Sequence, residues 1–299
     1  MFVILGASGH TGGVAARTLL SRGQQVRAVG RSAEHLQSLA HSGAEIFPAD
    51  ATNTIALTNA LRGADAAFVL LPPNVSTNDV GAFQERVSDA ISDAARAAGV
   101  RHIVALSSIG ADKSSGTGPV VGLHHLERKL SAIDGLNVLF LRAGYFMENT
   151  LPQVGVVRSL GKVIGPLQPT LKLPMIATRD IGAAAADALL RREFRGKQTR
   201  ELLGQRDLDY TEVAGIIGNT IGKPSLGYIQ APDDQLRPAL EQLGMSANFV
   251  GLLLEMAGAM NSGFMKALES RSPQNTTATS YETFVNQEFV AAYRQQKAA

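Results

Sequence analysis

The feature that most constrains the fold is a short apolar segment near the N-terminus, followed by a glycine at every third position. Residues 2–5 are all apolar, as in a strand buried on both faces, and Gly6, Gly9 and Gly12 follow them. An amphipathic segment begins at Val14, which completes a strand, glycine turn and helix. In this context Gly6 permits a tight turn, Gly9 lets the backbone approach a diphosphate, and Gly12 lets the helix pack closely on the sheet. The motif predicts a dinucleotide site.

The first half of the chain alternates strand patterns with helix patterns joined by short connections. Such alternation predicts a doubly wound α/β fold with a parallel sheet of the Rossmann type. We expect a dinucleotide-binding domain over residues 1–149 and a smaller α+β lobe over 150–299, with segments of the lobe returning to the sheet. The predicted strands of the sheet cover residues 2–5, 25–29, 44–47, 66–71, 102–106 and 137–141.

Composition excludes several classes of protein. The net charge is +2 with scattered basic residues, so no basic face for nucleic acid is expected. The chain has no cysteine, which excludes disulfides and thiolate metal sites, and no cluster of His, Asp and Glu has the spacing of metal ligands. The apolar segments are too short to cross a membrane, and the first strand begins at residue 2, so we expect a cytoplasmic protein without a leader peptide.

The end of the second predicted strand distinguishes between nicotinamide cofactors. An acidic residue about twenty positions past the glycines selects NAD, whereas an arginine accommodates the 2′-phosphate of NADP. Here no acid follows the strand, Arg31 stands 19 residues after Gly12, and Ser32 offers a further hydroxyl donor. We therefore predict NADP(H), the alternative being that Arg31 is a surface residue at the start of the next helix.

Several segments resemble the NmrA-like group of atypical short-chain dehydrogenase/reductases. They are the glycine turn Gly6-Ala-Ser-Gly-His-Thr-Gly12, the double proline Pro72-Pro73, the segment Ser107-Ser-Ile-Gly-Ala111 and the pair Glu148-Asn149. The resemblance covers nearly the whole chain and implies NAD(P) binding. With the motif arguments above and below, it implies cofactor contacts by Gly6, Ser8, Gly9, His10, Thr11, Gly12, Asp50, Leu71, Pro72, Ser107, Tyr145 and Phe146. For Asp50 a role at the start of the next helix is an equally open interpretation.

The four candidates for catalysis are Ser108, His125, Lys129 and Tyr145. Ligands of open α/β sheets bind at the carboxyl ends of the strands, so Ser107 and Ser108 are expected near the nicotinamide, where a hydroxyl can hold a substrate carbonyl. In typical members of the wider group, a Tyr four residues before a Lys donates the proton. Lys129 matches the Lys, which also binds the nicotinamide ribose, but His125 replaces the Tyr. His125 and Tyr145 are the remaining candidate acids, although His125 can be merely solvated and Tyr145 can simply pack against the cofactor.

These observations lead to two hypotheses about function. The first is an NADPH-dependent oxidoreductase that reduces a small apolar acceptor such as a quinone, azo compound or aromatic carbonyl, as members of the wider family do. The second is a redox sensor that binds NADP(H) and signals to a protein partner without turnover, which the missing tyrosine favours. A sugar-nucleotide epimerase is disfavoured because it requires the tyrosine. The oligomeric state is not indicated.

An apolar stripe near the C-terminus is either core or the wall of a substrate pocket. It comprises Phe249, Leu252, Leu253, Met256, Met260 and Phe264.

Overall fold

The computed structural model describes residues 1–295 and is organised around a seven-stranded sheet in which every neighbouring pair of strands is parallel. The strands of the chain are β1 (Phe2–Leu5), β2 (Val26–Gly30), β3 (Glu45–Pro48), β4 (Ala66–Val69), β5 (His102–Ser108), β6 (Asn137–Ala143), β7 (Tyr145–Phe146), β8 (Lys162–Gly165), β9 (Leu173–Ile176), β10 (Lys197–Leu202), β11 (Asp207–Leu208) and β12 (Gly227–Gln230). The order in the large sheet is β10-β6-β5-β4-β1-β2-β3. The predicted doubly wound α/β fold is therefore confirmed.

Helices cover both faces of this sheet. The helices of the chain are α1 (His10–Ser21), α2 (Gln37–His41), α3 (Thr54–Leu61), α4 (Val80–Ala98), α5 (Val121–Ser131), α6 (Gln153–Leu160), α7 (Thr178–Arg191), α8 (Tyr210–Thr220), α9 (Asp233–Gln242), α10 (Ala247–Asn261), α11 (Tyr281–Phe284) and α12 (Val290–Gln295). Along β5, Val104 packs on the face covered by α1 and α7, while Ile103 packs on the face covered by α3, α4 and α5. Both faces are buried, which explains why the central strands are continuously apolar.

The predicted strand positions are confirmed, with two differences at the strand ends that matter for the site. β4 ends at Val69, so Leu71 and Pro72 lie in the loop beyond it. β5 continues to Ser108, so Ser107 and Ser108 are the last residues of a strand. Successive side chains of a strand point to opposite faces, so the two serines cannot share one site.

The C-terminal half both extends the large sheet and builds smaller ones. It contributes β10 at the edge of the large sheet and α7 on one face. β7, β9 and β11 form a mixed three-stranded sheet, and β8 pairs with β12. A third apolar core lies among these elements and includes Met175, Val213, Tyr281 and Phe284. The division of the chain at residues 149 and 150 stays a prediction.

Within residues 1–295, none of the helices combines the length and the apolar character that a membrane crossing requires. In the same part of the chain, His, Asp and Glu side chains form no group of three suited to a metal ion.

Candidate cofactor and substrate site

The glycine turn has the geometry that its spacing predicted. Gly6 adopts φ +67°, a conformation that other residues rarely adopt, and the N–H of Gly9 donates to the Gly6 carbonyl at 2.9 Å. A Cβ on Gly12 would lie 2.4 Å from that same carbonyl oxygen, so helix α1 approaches the turn as closely as a glycine allows. Ser8, Gly9 and His10 are exposed, while Thr11 is buried.

The start of α1 is suited to bind an anion. Gly9 precedes the helix and gives it no side-chain cap, and the first turn contains no acidic residue. The first N–H groups of the helix are therefore available to a ligand, and the helix dipole favours negative charge there. A Cβ on Gly9 would meet only the Gly6 carbonyl, at 3.3 Å, so the outer side of the turn is open.

The ends of β2 and β3 bring Arg31 and Asp50 close together. Both residues are exposed, and Arg31 forms no ion pair with any of residues 1–295. Hydrogen bonds from the Thr52 amide and hydroxyl lower the pKa of Asp50, and the positive charge of Arg31 lowers it further. The interpretation of Asp50 as a helix cap is wrong: Asn53 caps α3 by accepting from the Ala56 N–H at 3.0 Å.

Gly30, the last residue of β2, lies close to the glycine turn. A Cβ there would lie 3.3 Å from the Ser8 hydroxyl oxygen and equally close to the Leu36 side chain. Ser32 is half-buried beside it, as are Leu71 and Pro72 beyond the end of β4. The Leu70 side chain lies against Gly6, where an added Cβ would be 2.9 Å away. The ends of β1, β2 and β4 thus form one continuous surface around the turn.

The Ser107 hydroxyl is engaged within the protein, so its expected position beside the nicotinamide gains no support. It is 3% exposed, and its hydroxyl donates to Glu127 Oε1 at 2.6 Å on the α5 face of the sheet. Arg142 binds the same carboxylate in a fork, with Nε 2.9 Å from Oε1 and Nη2 2.6 Å from Oε2. These hydrogen bonds raise the pKa of Arg142. Ser108 points to the opposite face, is half-buried, and donates to the Ile109 carbonyl at 2.9 Å.

Lys129 and His125 lie on the flank of α5 that faces α4. The Lys129 ammonium pairs with Asp89 and lies 3.9 Å from Glu85, both on α4. His125 is exposed beside it. Neither residue forms a hydrogen bond or ion pair with Ser107, Ser108 or Tyr145. Lys129 is thus engaged by carboxylates of α4, and the expected catalytic pair gains no support from these contacts.

Tyr145 and Phe146 are both half-buried in β7, at the strand ends where the resemblance implied cofactor contacts. The Tyr145 hydroxyl lies 2.9 Å from the Tyr210 hydroxyl. Burial raises the pKa of Tyr145, and the hydrogen bonds with Tyr210 and Asn149 offset this only in part. Burial likewise raises the pKa of Tyr210. Tyr145 is therefore a neutral phenol near pH 7 and lacks the lowered pKa of an activated proton donor.

Sequence reasoning missed Glu127 and Arg142. Arg142 is a charged residue in an otherwise apolar, buried strand, and that placement was the available signal. Glu127 stands among the polar residues of α5 and gave no such signal. The C-terminal stripe is divided: Met260 is buried, Phe249, Leu252, Leu253 and Met256 are half-buried, and Phe264 is exposed.

The C-terminal segment contacts the loop after β5 at its glycines. A Cβ on Gly110 would lie 2.8 Å from the Met265 side chain, and one on Gly116 would lie 3.3 Å from Phe264. Glu255 of α10 accepts from the Gly118 N–H at 3.3 Å. The loop over residues 109–118 is thus in contact with α10 and with the segment that follows it.

A model of the NmrA-like family matches residues 1–289. The chain belongs to the NmrA-like family. This NmrA-like protein is 27% identical over 258 residues to the NAD(P)H azoreductase of Xenophilus azovorans, with 86% of each chain covered. It is 28% identical over 297 residues to quinone oxidoreductase 2 of Escherichia coli, covering 96% of this chain and 99% of the relative.

Solved structures of two reductases have the same fold. The NADPH complex of the NADPH-dependent quinone oxidoreductase of Escherichia coli superposes with a TM-score of 0.75 at 26% identity, covering 89% of this chain and 91% of the other. The NADP(H) complex of the Citrobacter triphenylmethane reductase gives a TM-score of 0.80 at 20% identity, covering 96% and 99%. The two relatives compared by sequence are thus named as an NAD(P)H azoreductase and a quinone oxidoreductase.

Proposed function

We propose that this protein is an NADPH-dependent reductase of small apolar acceptors, of which quinones fit best, with azo compounds and aromatic carbonyls as neighbouring classes. The observation that carries the proposal is the open glycine turn before α1, with the exposed Arg31 at the neighbouring strand end. Tyr145, whose pKa is raised by burial, is not activated as a proton donor. A quinone accepts hydride readily and takes its proton from water, so it is the acceptor that least requires a protein acid. Relatives that reduce quinones and azo compounds support the same class.

The residues of the chain fit NADPH at three places. The open turn at Gly9 and the free N–H groups of α1 would hold the diphosphate, as the space around that turn allows. Arg31, exposed and without an ion-pair partner, would bind the 2′-phosphate, with Ser32 beside it. Asp50 lies at the same corner, where the adenosine would rest. Bound NADPH supplies the hydride.

The acceptor would lie at the ends of β4, β5 and β7, between the sheet and the C-terminal segment. Phe146 supplies a half-buried aromatic side chain on the sheet side, and Leu252, Leu253 and Met256 present half-buried apolar surface on α10. Apolar side chains on both sides would orient a flat acceptor and exclude water from the hydride path. No residue of the chain needs to transfer a proton in this scheme.

A second function is favoured by one observation. The loop over residues 109–118 contacts the C-terminal segment at three glycines, and Phe264 of that segment is exposed. A redox sensor with a protein partner would use such a link. It differs from the reductase in having no turnover with any acceptor.

One experiment separates these functions. The purified protein is titrated with NADPH and NADH, and a panel of quinones and azo compounds is then added while the absorbance of the reduced nicotinamide is followed. Acceptor-dependent oxidation of NADPH supports the reductase. Tight NADPH binding without oxidation by any acceptor supports the sensor, and binding of neither nucleotide contradicts both.

A further inference from the structure

Glu148 lies in the short helical turn that follows β7, and only one of its carboxylate oxygens has a partner. Oε1 accepts from the backbone N–H of Thr178 at 2.9 Å and from the Thr178 hydroxyl at 2.6 Å. Oε2 is buried and accepts no hydrogen bond from any group in residues 1–295. A buried acceptor without a donor is costly, so this oxygen is expected to meet a donor in the working protein.

Helix α7 places this carboxylate beside the glycine turn. A Cβ on Gly182 of α7 would lie 2.6 Å from the Thr11 carbonyl oxygen of α1. Farther along, Asp187 pairs with Arg22 at 2.6 Å, so the two helices run in the same direction. Thr178 precedes Gly182 by four residues, or about 6 Å along the helix, and is therefore level with the turn before α1.

Apolar packing leads to the same location. Ala7 of the glycine turn belongs to one buried cluster with Ile176 and Ile181, which lie two residues before and three residues after Thr178. Leu70 and Leu106, from the ends of β4 and β5, pack against this cluster, as does Phe146. Glu148 thus lies where the ends of β4, β5 and β7 meet the glycine turn.

The position in the sheet determines which part of a dinucleotide would meet Glu148. Arg31 and Asp50 lie at the ends of β2 and β3, on one side of β1, and would take the adenosine half. β4 and β5 lie on the other side of β1, toward which the nicotinamide riboside half would extend. A phosphate cannot be the partner of a carboxylate because both are anionic. The donors of that half are the ribose hydroxyls and the carboxamide N–H groups.

We propose that Oε2 of Glu148 accepts a hydrogen bond from the nicotinamide riboside half of NADPH. The assignment rests on the proposed function. It gives the two oxygens separate tasks: Oε1 caps α7, since Ala177 before the helix offers no side-chain cap, and Oε2 holds the cofactor. The N–H and the hydroxyl of Thr178 both require an acceptor. An amide that replaces the Glu148 carboxylate must therefore turn its carbonyl oxygen toward Thr178.

The test is the substitution Glu148→Gln. The amide carbonyl will face Thr178 and preserve the cap, so the NH₂ group replaces Oε2 and presents a donor where the ligand offers one. We expect the dissociation constant for NADPH to rise roughly 10- to 100-fold, as for loss of a hydrogen bond to a charged group. The dissociation constant for adenosine 2′,5′-bisphosphate, which lacks the nicotinamide riboside, should not change. Fluorescence or calorimetric titration measures both without any turnover.

Glu201→Gln is the matched control. The Glu201 carboxylate is 2% exposed and accepts from the backbone N–H groups of Leu268 and Glu269 at 2.8–3.0 Å. In Glu201→Gln, the amide NH₂ group would face these backbone N–H donors instead of a ligand. This variant should therefore lose stability and keep the wild-type affinity for NADPH.

Each outcome decides the assignment. Equal NADPH affinity of Glu148→Gln and wild type would show that Oε2 meets only water and would overturn it, as would equal weakening of both ligands. If Glu148→Gln melts earlier than wild type, the ratio of the two dissociation constants still decides, since loss of folded protein affects both ligands alike. A wild-type protein that binds neither ligand contradicts the proposed function, and the assignment with it.

Discussion

The ion pair between Glu127 and Arg142 gives the most quantitative stability prediction. The two side chains are 11% and 13% exposed and are joined by two hydrogen bonds of 2.6 and 2.9 Å. In Arg142→Met, a side chain of similar length replaces the cation, and the carboxylate keeps only the Ser107 hydroxyl. Glu127 then carries a nearly uncompensated buried charge.

Breaking a buried pair on one side costs about 3–5 kcal/mol. The remaining exposure of both side chains lets water reach the carboxylate, so we expect the lower value, about 3 kcal/mol. For a protein larger than about 150 residues, each kcal/mol lowers the melting temperature by roughly 2–4 °C, which gives a decrease of roughly 6–12 °C. The double variant Glu127→Leu/Arg142→Met removes both charges and leaves one serine hydroxyl unpaired, so it should lose only about 1 kcal/mol.

Urea denaturation followed by circular dichroism measures all four members of this cycle, including Glu127→Leu. The reasoning requires the double variant to be more stable than Arg142→Met by about 2 kcal/mol. If the double variant is equally or less stable, the cost of the single variant comes from lost packing, and the argument from uncompensated charge is refuted.

Further predictions concern the glycine turn, the tyrosine and the pH dependence. Gly12→Ala would place a Cβ 2.4 Å from a backbone carbonyl oxygen, so its free energy of unfolding should fall by about 1–3 kcal/mol in thermal or urea unfolding. Gly9→Ala should keep its stability but lose NADPH affinity. The reverse pattern would contradict the roles of the two glycines. Tyr145→Phe should change the turnover number for quinones less than about threefold, since the phenol is not activated; a loss of about a hundredfold, typical of a missing general acid, would refute this. The hydrogen bonds from Arg206 lower the pKa of Glu282, so this pair stabilises the protein above the unfolded pKa of the carboxyl and ceases to do so as the pH falls through the lowered value. Between pH 5 and 3, the free energy of unfolding of Arg206→Gln should therefore fall less than that of wild type, by up to about 1 kcal/mol, as measured by urea denaturation. Parallel pH profiles of the two proteins would contradict the assignment.

The parts of the fold that sequence predicted well are those set by local pattern. The apolar segments of β1, β4 and β5 have both faces buried, so their composition alone distinguishes them from surface strands. The turn at Gly6 requires a positive φ, and the closeness of α1 at Gly12 excludes any side chain. Such constraints act within a few residues and are legible in the sequence.

The parts that sequence predicted poorly depend on partners far along the chain. The end of β5 decides which of Ser107 and Ser108 faces α5, and Glu127, which binds Ser107, lies 20 residues away. The spacing of His125 and Lys129 is correct for one helix face, but the Asp89 carboxylate on α4 determines what Lys129 meets. The unpartnered oxygen of Glu148 is a property of the folded chain that no local sequence pattern indicates. Helical spacing determines which residues share a face of a helix, but it does not determine which element packs against that face.

The most direct test of the central claim is a titration of wild type and Arg31→Ala with NADPH and with NADH. The claim is that Arg31 selects the cofactor that carries the 2′-phosphate. Wild type should bind NADPH more tightly than NADH, and Arg31→Ala should weaken NADPH binding by about 1.5–3 kcal/mol, roughly 10- to 150-fold, with little change for NADH. Equal affinity of wild type for both nucleotides, or an equal loss for both in the variant, would contradict it.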